Sequence, residues 1–146
     1  MRALGLDLGS KRIGVALSDS AGVMALPYEV LQRTGDRERD HRRIAALVAE
    51  TEAEIVVVGL PLSLDGGVGQ MARRYTAEAR RLRGTLGVPV ETYDERLTTV
   101  TAERALLETD LSGRARRKVV DKVAAAVMLQ SWLDGRAARG EDPPLD

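Results

Sequence analysis

Residues Arg2 to Leu8 alternate in polarity and size, with Leu4, Leu6 and Leu8 on one side of an extended chain and Ala3, Gly5 and Asp7 on the other. The second side is built of small residues. Gly9-Ser10-Lys11 reads as a tight turn into a strand over Ile13 to Ser18, and Ser20-Ala21-Gly22 as a turn into a third strand over Met24 to Leu31. The chain therefore opens on an antiparallel meander. From Asp36 to about Glu52 the period becomes helical, with Ile44, Ala45, Leu47 and Val48 recurring at helix spacing and His41 in the charged first half. Ile55-Val56-Val57-Val58 lacks alternation, as expected of a parallel strand covered on both faces, and Pro61 with Gly66-Gly67 reads as a loop after it.

A second helix is expected from about Val68 to Arg83, its stripe formed by Val68, Met71, Ala72, Tyr75, Ala79 and Leu82. Arg73, Arg74, Arg80 and Arg81 fall on the opposite face and read as solvated charge. Val88 to Tyr93 gives a fifth strand, opened by Pro89 as suits a strand start or an edge. Leu97 to Glu108 reads as a helix capped by Thr98 or Thr99. A basic loop over Ser112 to Arg117 then leads to an almost wholly apolar, hence buried, helix from Lys118 to Leu133. Residues 135–146, with Gly140 and two prolines, are expected to form a flexible tail beyond a single domain over 1–134. The order βββαβαβαα implies an α/β fold with a five-stranded mixed sheet, an antiparallel meander plus two parallel strands, and helices on both faces.

Composition narrows the chemistry. The 146 residues contain no cysteine and one histidine, His41, which excludes disulfides, thiol nucleophiles and cysteine- or histidine-pair metal sites. No run approaches the ~20 apolar residues of a membrane span, and the opening residues do not form a secretory leader, so a cytoplasmic location without membrane association is expected. The 22 basic residues match the 22 acidic ones, so attraction to nucleic acid must be local rather than global. Aromatics make up only 3%, which disfavours a binder built on base-stacking platforms and points to contacts with the backbone.

Three acids stand out by position. Asp7 ends the first strand on the small side, where a helix can approach closely; it could alternatively accept backbone N–H groups of the Gly9-Ser10-Lys11 turn. Glu95 lies where the fifth strand runs out, at the carboxyl end where open α/β sheets place ligands, or it pairs with Arg96. Asp121 opens the final helix, where the dipole or Lys118 could also account for it. Val123-Ala124-Ala125-Ala126-Val127 after it suits that helix to the small side carrying Asp7.

Convergence of these acids would require a divalent cation, and an all-oxygen set selects Mg²⁺ or Mn²⁺. Such a centre activates water for in-line attack on phosphorus without histidine or cysteine. Lys11 and Arg12 follow Asp7, Arg96 follows Glu95, and Arg114, Arg116, Arg117 and Lys118 precede Asp121, which suits a phosphodiester substrate held by its backbone. Gly66-Gly67-Val68-Gly69 lacks the spacing of a nucleotide-binding loop, no Gly-x-Ser-x-Gly elbow exists, and His41 has no serine partner.

Four segments in order, Leu6 to Ala16, Val58 to Leu62 with Asp65-Gly66, Asp94 to Thr99 and Asp121 to Ala125, resemble the YqgF (RuvX) family over residues 1 to about 134. The resemblance implies a ribonuclease H-like fold, a kinship with Holliday-junction resolvases and a role in 5′-end processing of precursor 16S ribosomal RNA. It implies Asp7, Glu95 and Asp121 as the acidic site, with structured or single-stranded RNA as preferred partner, branched DNA as the alternative, and a monomer or homodimer. Resolvase cousins typically carry a further acid one turn before the last, where this chain has Lys118. Two other readings compete. Asp7-Leu8-Gly9-Ser10 also resembles the phosphate-binding turn of actin-like and sugar-kinase ATPases, although the length allows only one lobe. The third reading is a non-catalytic RNA-binding or ribosome-assembly factor on the same fold.

Overall fold

A computed structural model describes residues 1–60, 69–95 and 113–140. Strands β1 (Ala3–Leu8), β2 (Arg12–Ser18), β3 (Ala25–Gln32), β4 (Ile55–Leu60) and β5 (Val90–Asp94) form one sheet in the order β3-β2-β1-β4-β5. β1 pairs antiparallel with β2, β2 antiparallel with β3, and β4 parallel with both β1 and β5. This is the mixed sheet expected from the hydrophobic pattern, with β1 central and Asp7 near its carboxyl end. Pro27 and Pro89 sit where a missing N–H is tolerated. Pro27 lies in edge strand β3, beside the register shift between Val15 and Ala16. Pro89 precedes edge strand β5 and offers its carbonyl to the Val56 N–H at 2.9 Å.

The described helices are α1 (Arg37–Thr51), α2 (Gln70–Thr85) and α3 (Gly113–Ala138). Leu4, Leu6 and Leu8 bury against Ile44 and Leu47 of α1 and Tyr75, Ala79 and Leu82 of α2. On the other face Ala3, Ala16, Ile55 and Val57 meet Ala124, Ala125, Met128, Leu129 and Trp132 of α3. The small side of β1 explains this closeness: a Cβ built on Gly5 would stand 3.0 Å from the Leu129 Cβ. α1 starts on Asp36, whose side chain accepts from the Arg39 N–H, and stops at Glu52 in the left-handed region (φ 57°).

Two expectations around α3 are corrected. The basic segment expected as a loop is helical from Gly113, because arginine, lysine and alanine are strong helix formers and Gly113 stands only at the start. The helix also runs past Leu133 and through Gly135 to Ala138. Gln130 donates to Asp134 at 2.9 Å, and the Arg136 guanidinium lies 4.9 Å from the Trp132 ring centre, contacts that offset the glycine's cost of about 1 kcal/mol. Gly140, with φ 75°, follows the end. The loop at Pro61 and Gly66-Gly67 and the helix expected over 97–108 lie outside the described residues.

Candidate functional site

One row across the sheet organises the site. Asp7 of β1 pairs with Gly14 of β2 on one side and Gly59 of β4 on the other, and Gly59 pairs in turn with Tyr93 of β5. All four positions face α3, by the same alternation that turns Ala3, Ala16 and Val57 that way. The only side chain in the middle of the row is therefore the Asp7 carboxylate, flanked by bare Cα atoms on strands about 4.8 Å away.

Each glycine is filled from above by another of the predicted acids. A Cβ on Gly59 would come 2.7 Å from Glu95 Oε1 and 3.1 Å from Met128 Cγ. A Cβ on Gly14 would collide with the Asp121 carbonyl oxygen. Glu95, immediately after β5, thus reaches back over β4, while the third turn of α3, and not its first as expected from sequence, brings Asp121 against β2. Asp7 and Glu95 are 7% and 8% exposed, so both carboxylates are taken out of water where an acidic group requires compensation. Asp121 is half-buried and receives a hydrogen bond from Arg12 Nε to Oδ2 at 2.7 Å, spanning 109 positions of sequence.

Arg12, expected to hold phosphate, thus engages Asp121 from β2, a partner for this acid that the sequence reading did not name. The Gly9 N–H, one possible donor to Asp7, is committed to the Arg12 carbonyl at 2.8 Å. Lys11 is exposed on the turn after β1. Arg114, Arg116, Arg117 and Lys118 occupy the opening turns of α3, ahead of Asp121, and Arg96 lies outside the described residues.

Among the described residues no three acids or histidines close round one point as a preformed metal centre, and the Arg12 guanidinium supplies the cation beside Asp121. The donor chemistry nevertheless fits a hard divalent ion: Asp7, Glu95 and Asp121 offer carboxylate oxygens, and the missing Cβ atoms at Gly59 and Gly14 let Glu95 and the Asp121 backbone approach the strands that flank Asp7.

A second polar group lies on the opposite face and escaped the sequence reading. Arg33, just past β3, donates Nη1 and Nη2 to the two oxygens of Glu78 at 2.9 and 2.8 Å, and Glu78 Oε2 lies 2.8 Å from His41 Nε2. Arg33 also fastens the Asp7 turn, donating Nε to the Gly9 carbonyl at 2.7 Å and its N–H to the Lys11 carbonyl at 2.8 Å. Burial pushes the Glu78 carboxyl up, but the hydrogen bonds and charges of Arg33 and His41 outweigh it and hold the group below its ordinary value. The available signal was helical phase: Glu78 stands three residues after Tyr75 and four before Leu82, and His41 three before Ile44, so both flank buried stripes.

Known proteins agree with this architecture. Thermus thermophilus RuvC, solved in complex with a Holliday junction substrate, matches with a TM-score of 0.62 at 17% identity, covering 99% of both chains. The fowlpox virus Holliday junction resolvase matches with a TM-score of 0.57 at 12% identity, covering 92% of this chain and 99% of that one. At these identities the likeness concerns the fold, which is ribonuclease H-like. In sequence, a relative from Desulforudis audaxviator is 48% identical over 136 residues, 93% of this chain and 96% of the relative. One from Anaeromyxobacter sp. is 51% identical over 138 residues, 94% and 100% of the two chains. Both are named as candidate pre-16S rRNA nucleases. The family model described as RuvX, Holliday junction resolvase, spans residues 1–135. With that span covering all five strands, both sheet faces and the Gly14–Asp7–Gly59 row, the chain belongs to the RuvX family.

Proposed function

We propose that this protein is a metal-dependent nuclease that hydrolyses phosphodiester bonds of precursor 16S ribosomal RNA in the cytoplasm, with Asp7, Glu95 and Asp121 as its acidic centre. The observation that supports this reading is the glycine-flanked row, in which Glu95 and Asp121 are packed over the two strands that border Asp7.

The oxygen-only donors suit Mg²⁺ or Mn²⁺. Such an ion, when bound, supplies Lewis acidity at the scissile phosphate and a water acidic enough to attack it. Asp7 contributes a buried carboxylate on the central strand, and Glu95 a second one whose burial favours exchange of solvent for a cation. Arg12 shares the charge of Asp121. Lys11, on the exposed turn after Asp7, and Arg114, Arg116, Arg117 and Lys118, ahead of Asp121, hold phosphates to either side of the bond, with Arg96 following Glu95 in the same role.

A cleavage panel tests this reading: structured precursor RNA, single-stranded RNA, single-stranded DNA and a four-way junction, each with Mg²⁺, Mn²⁺ or chelator. Metal-dependent cutting of the precursor RNA ahead of the other substrates is expected. Preferential cutting of the junction would instead favour resolvase activity, and salt-sensitive RNA binding without cleavage of any substrate would favour a non-catalytic assembly factor.

A further inference from the structure

On the α1/α2 face, beside the turn that follows Asp7, the surface opens into a cavity of about 540 Å³ lined by Ser10, Lys11, Arg33, Arg37, Asp40 and Arg74, among others. That volume lies in the range of small-ligand sites, about 300–1,000 Å³. Its charge is one-sided. Glu78 already neutralises Arg33, so Lys11, Arg37 and Arg74 face one acid, Asp40, an excess of two positive charges. Asp40 is committed elsewhere, since its Oδ1 accepts the Thr34 N–H at 3.1 Å and the Thr34 hydroxyl at 2.9 Å. A neutral molecule has no general reason to gather three cations round a cleft, and their mutual repulsion is relieved by an anion.

The cavity is also held in shape. Arg33 is fixed by the bidentate Glu78 pair and by the Gly9 and Lys11 carbonyls, and Glu78 is fixed in turn by His41. The buried network therefore ties one wall, the Gly9–Lys11 turn, to α1 and α2, which supply Arg37 and Arg74. A cleft whose backbone walls are placed in advance leaves only side chains to be ordered on binding phosphate.

We propose that this cavity is a phosphate-binding subsite that takes the backbone of the bound nucleic-acid strand beyond the scissile bond, with Arg37 and Arg74 as its principal contacts. The proposal rests on the nuclease reading for the identity of the ligand. Ser10 is three residues from Asp7, a span of at most ~10 Å, comparable to the axial rise of about three phosphates along one strand. A strand crossing the acidic row would thus bring a later phosphate to the cavity mouth. Arg74, exposed as its helical phase requires, acquires a purpose there that Arg80 and Arg81 lack.

The test measures binding of a short labelled RNA in chelator, where cleavage plays no part, across a salt series. The Arg37→Gln/Arg74→Gln double variant is expected to bind about tenfold or more weakly, with a log K against log salt slope shallower by about 1.4, the value for two lost single-strand contacts. Arg80→Gln/Arg81→Gln, equal in charge on the same helix α2, should bind as wild type. A parallel thermal-shift arm with pyrophosphate reports small phosphates directly. RNA affinity unchanged in the cavity variant overturns the proposal, as does failure of the wild type to bind RNA; pyrophosphate stabilisation beside unchanged RNA binding would reassign the cavity to a small phosphorylated ligand. Cavity-dependent RNA binding without cleavage of any substrate would sink the nuclease reading and leave the subsite standing.

Discussion

Gly14 and Gly59 invite the same substitution with different results. Gly14→Ala drives its methyl group into the backbone of α3 at Asp121, which cannot yield without shifting the helix. We expect a loss of about 1–3 kcal/mol, read as a lower urea midpoint. Gly59→Ala meets the end of the Glu95 side chain and Met128 instead, and both can rotate. Stability should then fall by less than in Gly14→Ala, while cleavage falls steeply because Glu95 is displaced; equal stability losses would contradict this account. Arg12→Gln is informative in the opposite sense. Its ion pair with Asp121 is partly exposed and worth under about 1 kcal/mol to the fold. Removing it frees Asp121, so calorimetric titration should show tighter Mn²⁺ binding in Arg12→Gln; unchanged or weaker binding would show that Asp121 does not serve the ion.

At the scale of elements, the Arg33–Glu78–His41 group joins the end of β3 to α2 and α1. The Glu78 carboxyl titrates below its ordinary value of 4.5 in the folded state. Its contribution is therefore complete above that value and is lost as pH falls through the lower folded one. Urea midpoints followed from neutral pH to about pH 3 should drop across this window, and Glu78→Gln should flatten the drop. Glu78→Ala, which leaves the half-buried Arg33 without its carboxylate, should cost about 3 kcal/mol at neutral pH. The legibility of these features in sequence followed their periodicity. β1 could be read because Leu4, Leu6 and Leu8 alternate with Ala3, Gly5 and Asp7, and that alternation also indicated which helix would lie over Asp7. Glu78 and His41 were illegible because their charge assigned them to the solvent, and only partners distant in sequence make their burial affordable. The Arg12–Asp121 pair was hidden for the same reason. The helical state of the basic segment before Asp121 was missed because a run of like charge and a glycine suggested a loop, whereas local propensity favoured helix.

Over the whole molecule, equal numbers of acidic and basic residues leave no net field, so function depends on how charge is distributed. The sheet separates two polar regions: Asp7 in its glycine-flanked row on the α3 face, with Glu95 and Asp121 packed over the neighbouring strands, and cations round a cleft beside α1 and α2, with the Gly9–Lys11 turn between them. The ribonuclease H-like fold creates this arrangement by ending β1, β4 and β5 at one edge, so that positions 7, 59 and 95 meet although far apart along the chain. The most direct test of the acidic row is Asp7→Asn, which preserves shape and hydrogen-bonding capacity while removing one charge from its centre. Metal-dependent cleavage of precursor RNA by this variant should fall about 100-fold or more with the melting temperature retained; cleavage at the wild-type rate would contradict the account.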